Sequence, residues 1–255
     1  MQATYSGLTA TQPFTASHTK VLWHLNEAAG TTVTDTSGHG FNGTISGSVN
    51  YQVNGPNFTG PGGGNAPGHY GMQLTGAQYV QVDSEAFASY PTTGAAPTPN
   101  YNHSVQVWFR AAQAGMIFGQ ANPSRGATVP AIYLGSDNKV HASMFWHGAA
   151  TTTTSTTATY NDNNWHQVVV TFFNGAEALY VDGALEGTRS ALTERPYATA
   201  YVYRLGEGIW QGWPNAGAGN ANSLTGELAE FAFYSYALDA AEVTADFTAK
   251  GIAVP

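Results

Sequence analysis

The feature that most constrains this chain is a succession of short segments in which apolar residues alternate with others, each closed off by Gly, Pro, Asn or Asp. The clearest runs from His103 to Ala111, where Val105, Val107 and Phe109 share one face of an extended chain and Gln106, Trp108 and Arg110 share the other. Covering of both faces is expected of a strand in the middle of a sheet. The same alternation predicts strands over Val21 to Leu25, Gln78 to Asp83, Met116 to Phe118, Ala131 to Leu134, Val140 to Trp146, Gln167 to Phe172, Glu177 to Asp182, Ala198 to Leu205 and Leu228 to Tyr236. Ser136-Asp137-Asn138 and Asp182-Gly183 read as hairpin turns. Thr151 to Thr159 is nearly all Thr and reads as an exposed strand, since β-branching favours the extended chain and the hydroxyl favours water. The helical signal is confined to Asp239 to Phe247, with Asp239 placed to cap and Glu242 three residues on as in a capping box. Such a pattern folds as an all-β, two-sheet antiparallel sandwich with a short C-terminal helix.

A chain of 255 residues fits one large sandwich domain. Met1 to His18 is polar and reads as a lead-in or linker, with the domain from residue 19 to 250 and a tail from 251 to 255. The first thirteen residues have neither a basic start nor an apolar run, so no signal peptide is read there, and no stretch is long and apolar enough for a spanning helix. Charged residues make up 9% of the chain against 13% aromatics, so Thr, Gly, Asn and Ser wet the surface, as in many extracellular or cell-surface β-proteins. A net charge of −8 offers no basic stripe to a phosphate backbone or an anionic membrane, which argues against nucleic acid and membrane insertion. The absence of Cys removes disulfides, thiolate metal sites and thiol catalysis. Low charge and open Gly loops permit self-association through sheet edges.

Val21 to Gly47 is the first stretch with chemistry of its own: a strand breaks into Gly, Thr, Ser, Asp and Asn. Asp35, Ser37 and Asn42 offer side-chain oxygens, and the glycines allow carbonyls to turn inward, as a hard cation such as calcium requires. The same residues equally make a long Asx and Gly turn that satisfies its own backbone. Glu27 is a further acid in this loop, open to the same two readings.

Three blocks carry a family likeness. Trp23, Asn26-Glu27, Gly30-Thr31-Thr32, the Asp35-x-Ser37-Gly38-x-Gly40 run and Asn42-Gly43-Thr44 form the first. A Trp165-His166 strand leading to a Tyr180-Val181-Asp182-Gly183 turn forms the second, and Gly226 to Phe247, a strand and then a helix, the third. Together they resemble bacterial laminin-G-like domains of the concanavalin-A-like superfamily, over roughly Thr19 to Lys250. The resemblance implies a jelly roll and a structural calcium held by Asp35 and Asn42 from the first block and Glu230 from the closing strand. At Glu230 the family more often has an Asp-Glu pair, whereas Ala229 precedes the Glu here.

Some relatives of that superfamily are glycoside hydrolases, which align acids at alternate positions of one strand. Glu227 and Glu230 stand three apart, on opposite faces of an extended chain, and neither HExxH nor GxSxG occurs. No catalytic residues are therefore assigned. For ligands the informative residues are aromatics beside amides, because sugars stack on indoles and satisfy their hydroxyls on amides. Trp210 and Trp213, with Asn215, lie in the Gly- and Asn-rich stretch from Gly206 to Ser223, and Trp146 with His147 ends a strand. Trp213 or Trp210 could instead fold back as a plug over the sandwich edge. Trp23, Trp108 and Trp165 lie in strong strands and read as core. The expectation is a noncatalytic extracellular binding or adhesion module that takes a glycan. Its rivals are a structural unit contacting a surface protein and a hydrolase with acids gathered from distant strands.

Overall fold

The computed structural model describes residues 18–56, 69–82, 86, 102–122, 127–143, 152–190, 192, 202–208, 212–217 and 222–249. Two antiparallel sheets of eight strands each face one another. The front sheet runs β14 (Ala184–Arg189), β13 (Ala176–Val181), β12 (His166–Phe173), β7 (His103–Ala111), β18 (Thr225–Tyr234), β5 (Tyr70–Thr75) and β4 (Asn50–Asn54), with β1 (Thr19–Trp23) also paired to β18. The back sheet runs β11 (Thr154–Ser155), β10 (Val140–Ala142), β9 (Ala127–Leu134), β8 (Gly115–Asn122), β15 (Val202–Leu205), β6 (Tyr79–Val82), β3 (Gly43–Ser46) and β2 (Thr32–Val33). A two-stranded ribbon of β16 (Glu207–Gly208) and β17 (Asn222–Ser223) is paired separately and lies against β8, and helix α1 spans Ala240–Thr248.

The alternation in β7 and β12 sorts as expected. Val105, Val107, Phe109, Val168 and Val170 point inward and join the core with Trp23, Phe118, Phe231 and Phe233, all essentially without exposure. Trp23 lies 5.3 Å from the Phe231 ring and Phe118 5.2 Å from it, tilted contacts that add about 1 kcal/mol each to the area they bury. Gly43 is required beneath Trp23, where a β-carbon would come within 2.9 Å of the indole. His103 sits at the end of the same inner face, stacked on Phe172 at 5.4 Å, and burial pushes its pKa down to about 3.

The outer face of the front sheet is covered by α1. Leu238 and Val243 pack on Leu22, Val169, Tyr180, Ala232 and Tyr234, and Phe247 stacks on Trp108 at 5.8 Å. The helix begins as anticipated: Asp239 accepts from the Glu242 N–H, and Glu242 accepts from the Asp239 N–H, each at 2.8 Å. Its last turn carries Phe247, so its cover of the outer face reaches as far as Trp108.

Several local features differ from the sequence reading. Asn50 to Asn54, which carries no strand signal in the sequence reading, is an edge strand with a bulge between Asn50 and Val53. The Thr-rich stretch contributes only β11, and Thr154 and Thr156 are buried. Their hydroxyls are matched inside, Thr154 donating to Glu177 and Thr156 to the Ala158 carbonyl, so the hydroxyl does not require water. In β18 the strict alternation breaks at a bulge between Ala229 and Ala232, where Glu230 adopts φ 47°. This is where β18 exchanges β5 for β1 as its neighbour. The hairpin turns at Ser136–Asn138 and Asp182–Gly183 form as expected.

Candidate functional site

A row of side chains crosses the outer face of the front sheet at one level. Asn50 pairs with Gln73, Gln73 with Glu227 and Glu227 with Arg110 in the strand register, and Trp165 follows beside Arg110 at the start of β12. The side chains are joined as well. The Asn50 amide donates to Gln73 at 2.6 Å, Gln73 donates to Glu227 at 3.4 Å, and Arg110 forms an ion pair with Glu227. The Arg110 guanidinium also lies 5.4 Å from the centre of the Trp165 ring.

Below the end of α1 this row opens into a hollow of about 320 Å³, lined by Trp108, Phe247, Trp165, Arg110, Asn163 and Asn164, with Asp182 and Pro56 at its margins. Trp165 is fixed on two sides: its indole N–H donates to the Asn54 carbonyl at 3.1 Å, and Arg110 lies against its ring. Asn163 adopts φ 62° in the turn before β12, and its N–H donates to the Ala111 carbonyl at 3.2 Å. Its side-chain amide is exposed and makes no hydrogen bond to a described residue. Asn164 is held by Asp162, whose carboxylate accepts from its N–H at 2.9 Å and its amide at 2.8 Å.

Asp182, at the hollow, belongs to a carboxylate–imidazole–carboxylate clamp. His166 Nδ1 meets Asp182 at 2.7 Å and Nε2 meets Asp162 at 3.0 Å. Burial by itself would lower the His166 pKa, but the two carboxylates, Asp182 before Asp162, raise it above its ordinary value. Burial acts upward on Asp162, yet its bonds from His166 and Asn164 bring it down to about 2. Asp182 also accepts the Gln167 N–H at 2.9 Å. Gly183 next to it takes φ 77°, and a β-carbon there would come within 3.0 Å of Phe247. The Trp-His and Asp-Gly pairs singled out in the sequence are thus the two ends of one clamp.

The candidate metal residues lie elsewhere and do not form a cation cage. Asp35 is buried, and each of its oxygens takes two donors: Leu22 N–H at 3.0 Å and Ser37 N–H at 2.9 Å on Oδ1, Ser37 hydroxyl and Phe41 N–H, both at 2.9 Å, on Oδ2. An ionised carboxylate has about four lone-pair sites, so none is left for a metal. The Asn42 side-chain oxygen accepts the Asp35 N–H at 2.9 Å. Glu230 turns instead to His24 Nδ1 at 2.7 Å, a bond that raises the His24 pKa, while burial raises that of Glu230. Glu27 accepts the Thr34 N–H at 3.0 Å. Among the described residues no three His, Asp or Glu side chains form a group that could hold a metal ion. These donors fit the self-satisfied turn and do not fit calcium.

Of the aromatic candidates, Trp213 is corrected. It is buried, packed on Met116 and Tyr133, with the Tyr133 hydroxyl donating to the Pro214 carbonyl at 2.7 Å. Folding back over the sheet removes a large apolar area from water, which outweighs the openness of a Gly-rich loop. Asn215, exposed at φ 50°, ties that loop down through its carbonyl, which accepts from the Ser136 N–H and hydroxyl. Trp210, Trp146 and His147 lie outside the described residues. Trp23 and Trp108 are buried as expected, but Trp165 is half-buried and lines the hollow. The run Asn161-Asp162-Asn163-Asn164 directly before Trp165 is the sequence signal that could have pointed to it.

Residues 74–244 match the laminin-G-type profile of the concanavalin A-like lectin/glucanases superfamily. The chain belongs to this family. A sequence comparison with curated proteins finds no match. Among solved structures, this laminin-G-type domain is similar to the binding domain of botulinum neurotoxin DC in complex with SialylT, at 15% identity and TM-score 0.57, over 91% of this chain and 51% of that one. It is also similar to domain 4 of the extracellular arabinanase AbnA from Geobacillus stearothermophilus in complex with arabinotriose, at 16% identity and TM-score 0.53, over 91% and 98% of the two chains. A third is Trypanosoma rangeli sialidase, at 14% identity and TM-score 0.58, over 98% of this chain and 35% of that one. At these identities the likeness is one of fold, and the chain spans about half the length of the toxin binding domains it matches. Enzymes and binding domains share this fold. Among the described residues no helix is long and apolar enough to cross a membrane.

Proposed function

We propose that this laminin-G-type domain is a noncatalytic carbohydrate-binding module that works outside the cell and takes its sugar in the Trp165 hollow. The observation that carries the reading is a fixed indole beside an uncommitted amide in an open depression. Trp165 is locked by Asn54 and Arg110, and Asn163 presents both donors and an acceptor a few side chains away. A preset aromatic wall loses little side-chain entropy on binding, and a free amide satisfies hydroxyls that water would otherwise hold. Structural neighbours bound to arabinotriose and to SialylT support carbohydrate as the ligand class, and binding domains among them support a noncatalytic role. The acids of β18 support it too, because Glu227 is bridged to Arg110 and Glu230 to His24, leaving no free pair across a cleft.

The test is glycan-array binding followed by calorimetry on the best hit. Trp165→Ala should weaken binding at least about tenfold, the order of an aromatic contact of 1 to 2 kcal/mol, and Asn163→Ala should weaken it several-fold. Because Asn163 is exposed, its variant should fold normally and separates loss of binding from loss of structure. Binding that survives both changes would place the ligand elsewhere. A protein-interaction role is favoured by one other observation, the exposed apolar side chains Phe173 of β12 and Leu185 of the edge strand β14, 60% and 56% accessible. Under that reading the array is silent and a partner is lost on Phe173→Ser.

A further inference from the structure

Resting on the hollow as the sugar site, we infer that it selects uncharged glycans over carboxylated ones, and that Glu227 enforces the choice by occupying Arg110. Arg110 is the cationic side chain lining the hollow among the described residues, and is the group that a sialic or uronic acid carboxylate would seek. Its guanidinium is already committed: one edge is ion-paired to Glu227, and its plane lies against Trp165. Glu227 itself is buried and receives the Gln73 amide from behind, so it is held against Arg110 and cannot swing away to admit a competing anion.

The surrounding charge acts in the same direction. Among the described residues Arg110 and Asp182 are the ionisable groups lining the hollow, and Glu227 is paired with Arg110 while His166 links Asp182 to Asp162. Even with the imidazole protonated, two positive groups face three negative ones and the set remains anionic, within a chain of net charge −8. An incoming carboxylate must then displace Glu227, leaving a buried carboxylate unpaired, or enter beside Asp182 with no cation of its own. A neutral sugar meets neither obstacle, since its hydroxyls can use the Asn163 amide and its apolar face the ring of Trp165.

Matched pairs of oligosaccharides, each neutral member beside its sialylated or uronic acid counterpart, test this by calorimetry on the intact protein. The wild type should bind neutral members at least about tenfold more tightly than carboxylated ones, the size of one charge-assisted hydrogen bond made or denied. Glu227→Gln keeps the shape, frees the guanidinium and should move the carboxylated-to-neutral affinity ratio upward by about tenfold. If that variant melts early, the wild-type ratio decides alone. Equal or tighter binding of carboxylated members by the wild type, abolished by Trp165→Ala, would overturn the selectivity while leaving the hollow as the site. Binding of no glycan, or binding indifferent to Trp165→Ala, would overturn the selectivity together with the reading beneath it.

Discussion

His166 shows how a family motif becomes a piece of geometry. Its two ring nitrogens are held by Asp182 and Asp162, which keeps the β13–β14 turn and the Asn163 turn at a fixed separation beside the hollow. Because its folded pKa lies above the value it has when unfolded, the stabilisation is complete below pH 6.5 and is lost as pH rises through the folded pKa. His24, raised by its hydrogen bond to Glu230, acts in the same direction. A histidine titration followed by NMR should place the His166 midpoint above 6.5, and Asp162→Asn should move it down; a midpoint below 6.5 would mean that burial outweighs the clamp. The His166–Asp182 contact is not legible in the sequence, where the two residues stand sixteen apart and Asp182 reads as an ordinary turn residue. The half-exposure of Trp165 escapes the sequence for a related reason. Period-two alternation says which face a residue takes, and says nothing about where the covering helix ends.

At the level of elements, β1 and the loop that carries Asp35 form one braced unit. Asp35 draws together the Leu22 N–H of β1 and two N–H groups and a hydroxyl of its own loop, a task that a cation performs in the calcium reading. Asp35→Ala should therefore cost about 3 kcal/mol or more, since several buried donors lose a charged acceptor. Adding calcium or excess EDTA should leave the melting temperature unchanged; a clear rise with calcium would show that the loop rearranges to ligate it. The strands and the capping box of α1 are legible because each rests on local spacing. Two elements are not. Edge strand β4 follows from pairing with β5, although Gly and Pro crowd the sequence that follows it, and the bulge at Glu230 follows from the change of neighbours along β18. Both are consequences of tertiary placement, as is the burial of Trp213.

Over the whole molecule, the sandwich supplies a rigid platform and α1 decides which part of its outer face remains open. The core needs no disulfide, since β7, β12 and β18 carry a continuous apolar inner layer from Val105 to Phe233. The outer layer is divided: the upper part is sealed by Leu238 and Val243, and the lower part is left to Trp165 and its polar neighbours. That division makes the front sheet both a structural layer and a recognition surface. Titration of the isotope-labelled protein with its best neutral glycan, followed through the Trp165 indole N–H and the Asn163 side-chain amide, tests this most directly. Saturable shifts at these two groups, with the Trp213 indole unmoved, are the predicted result. Shifts confined to Trp213 or absent from Trp165 and Asn163 would contradict the assignment of the hollow.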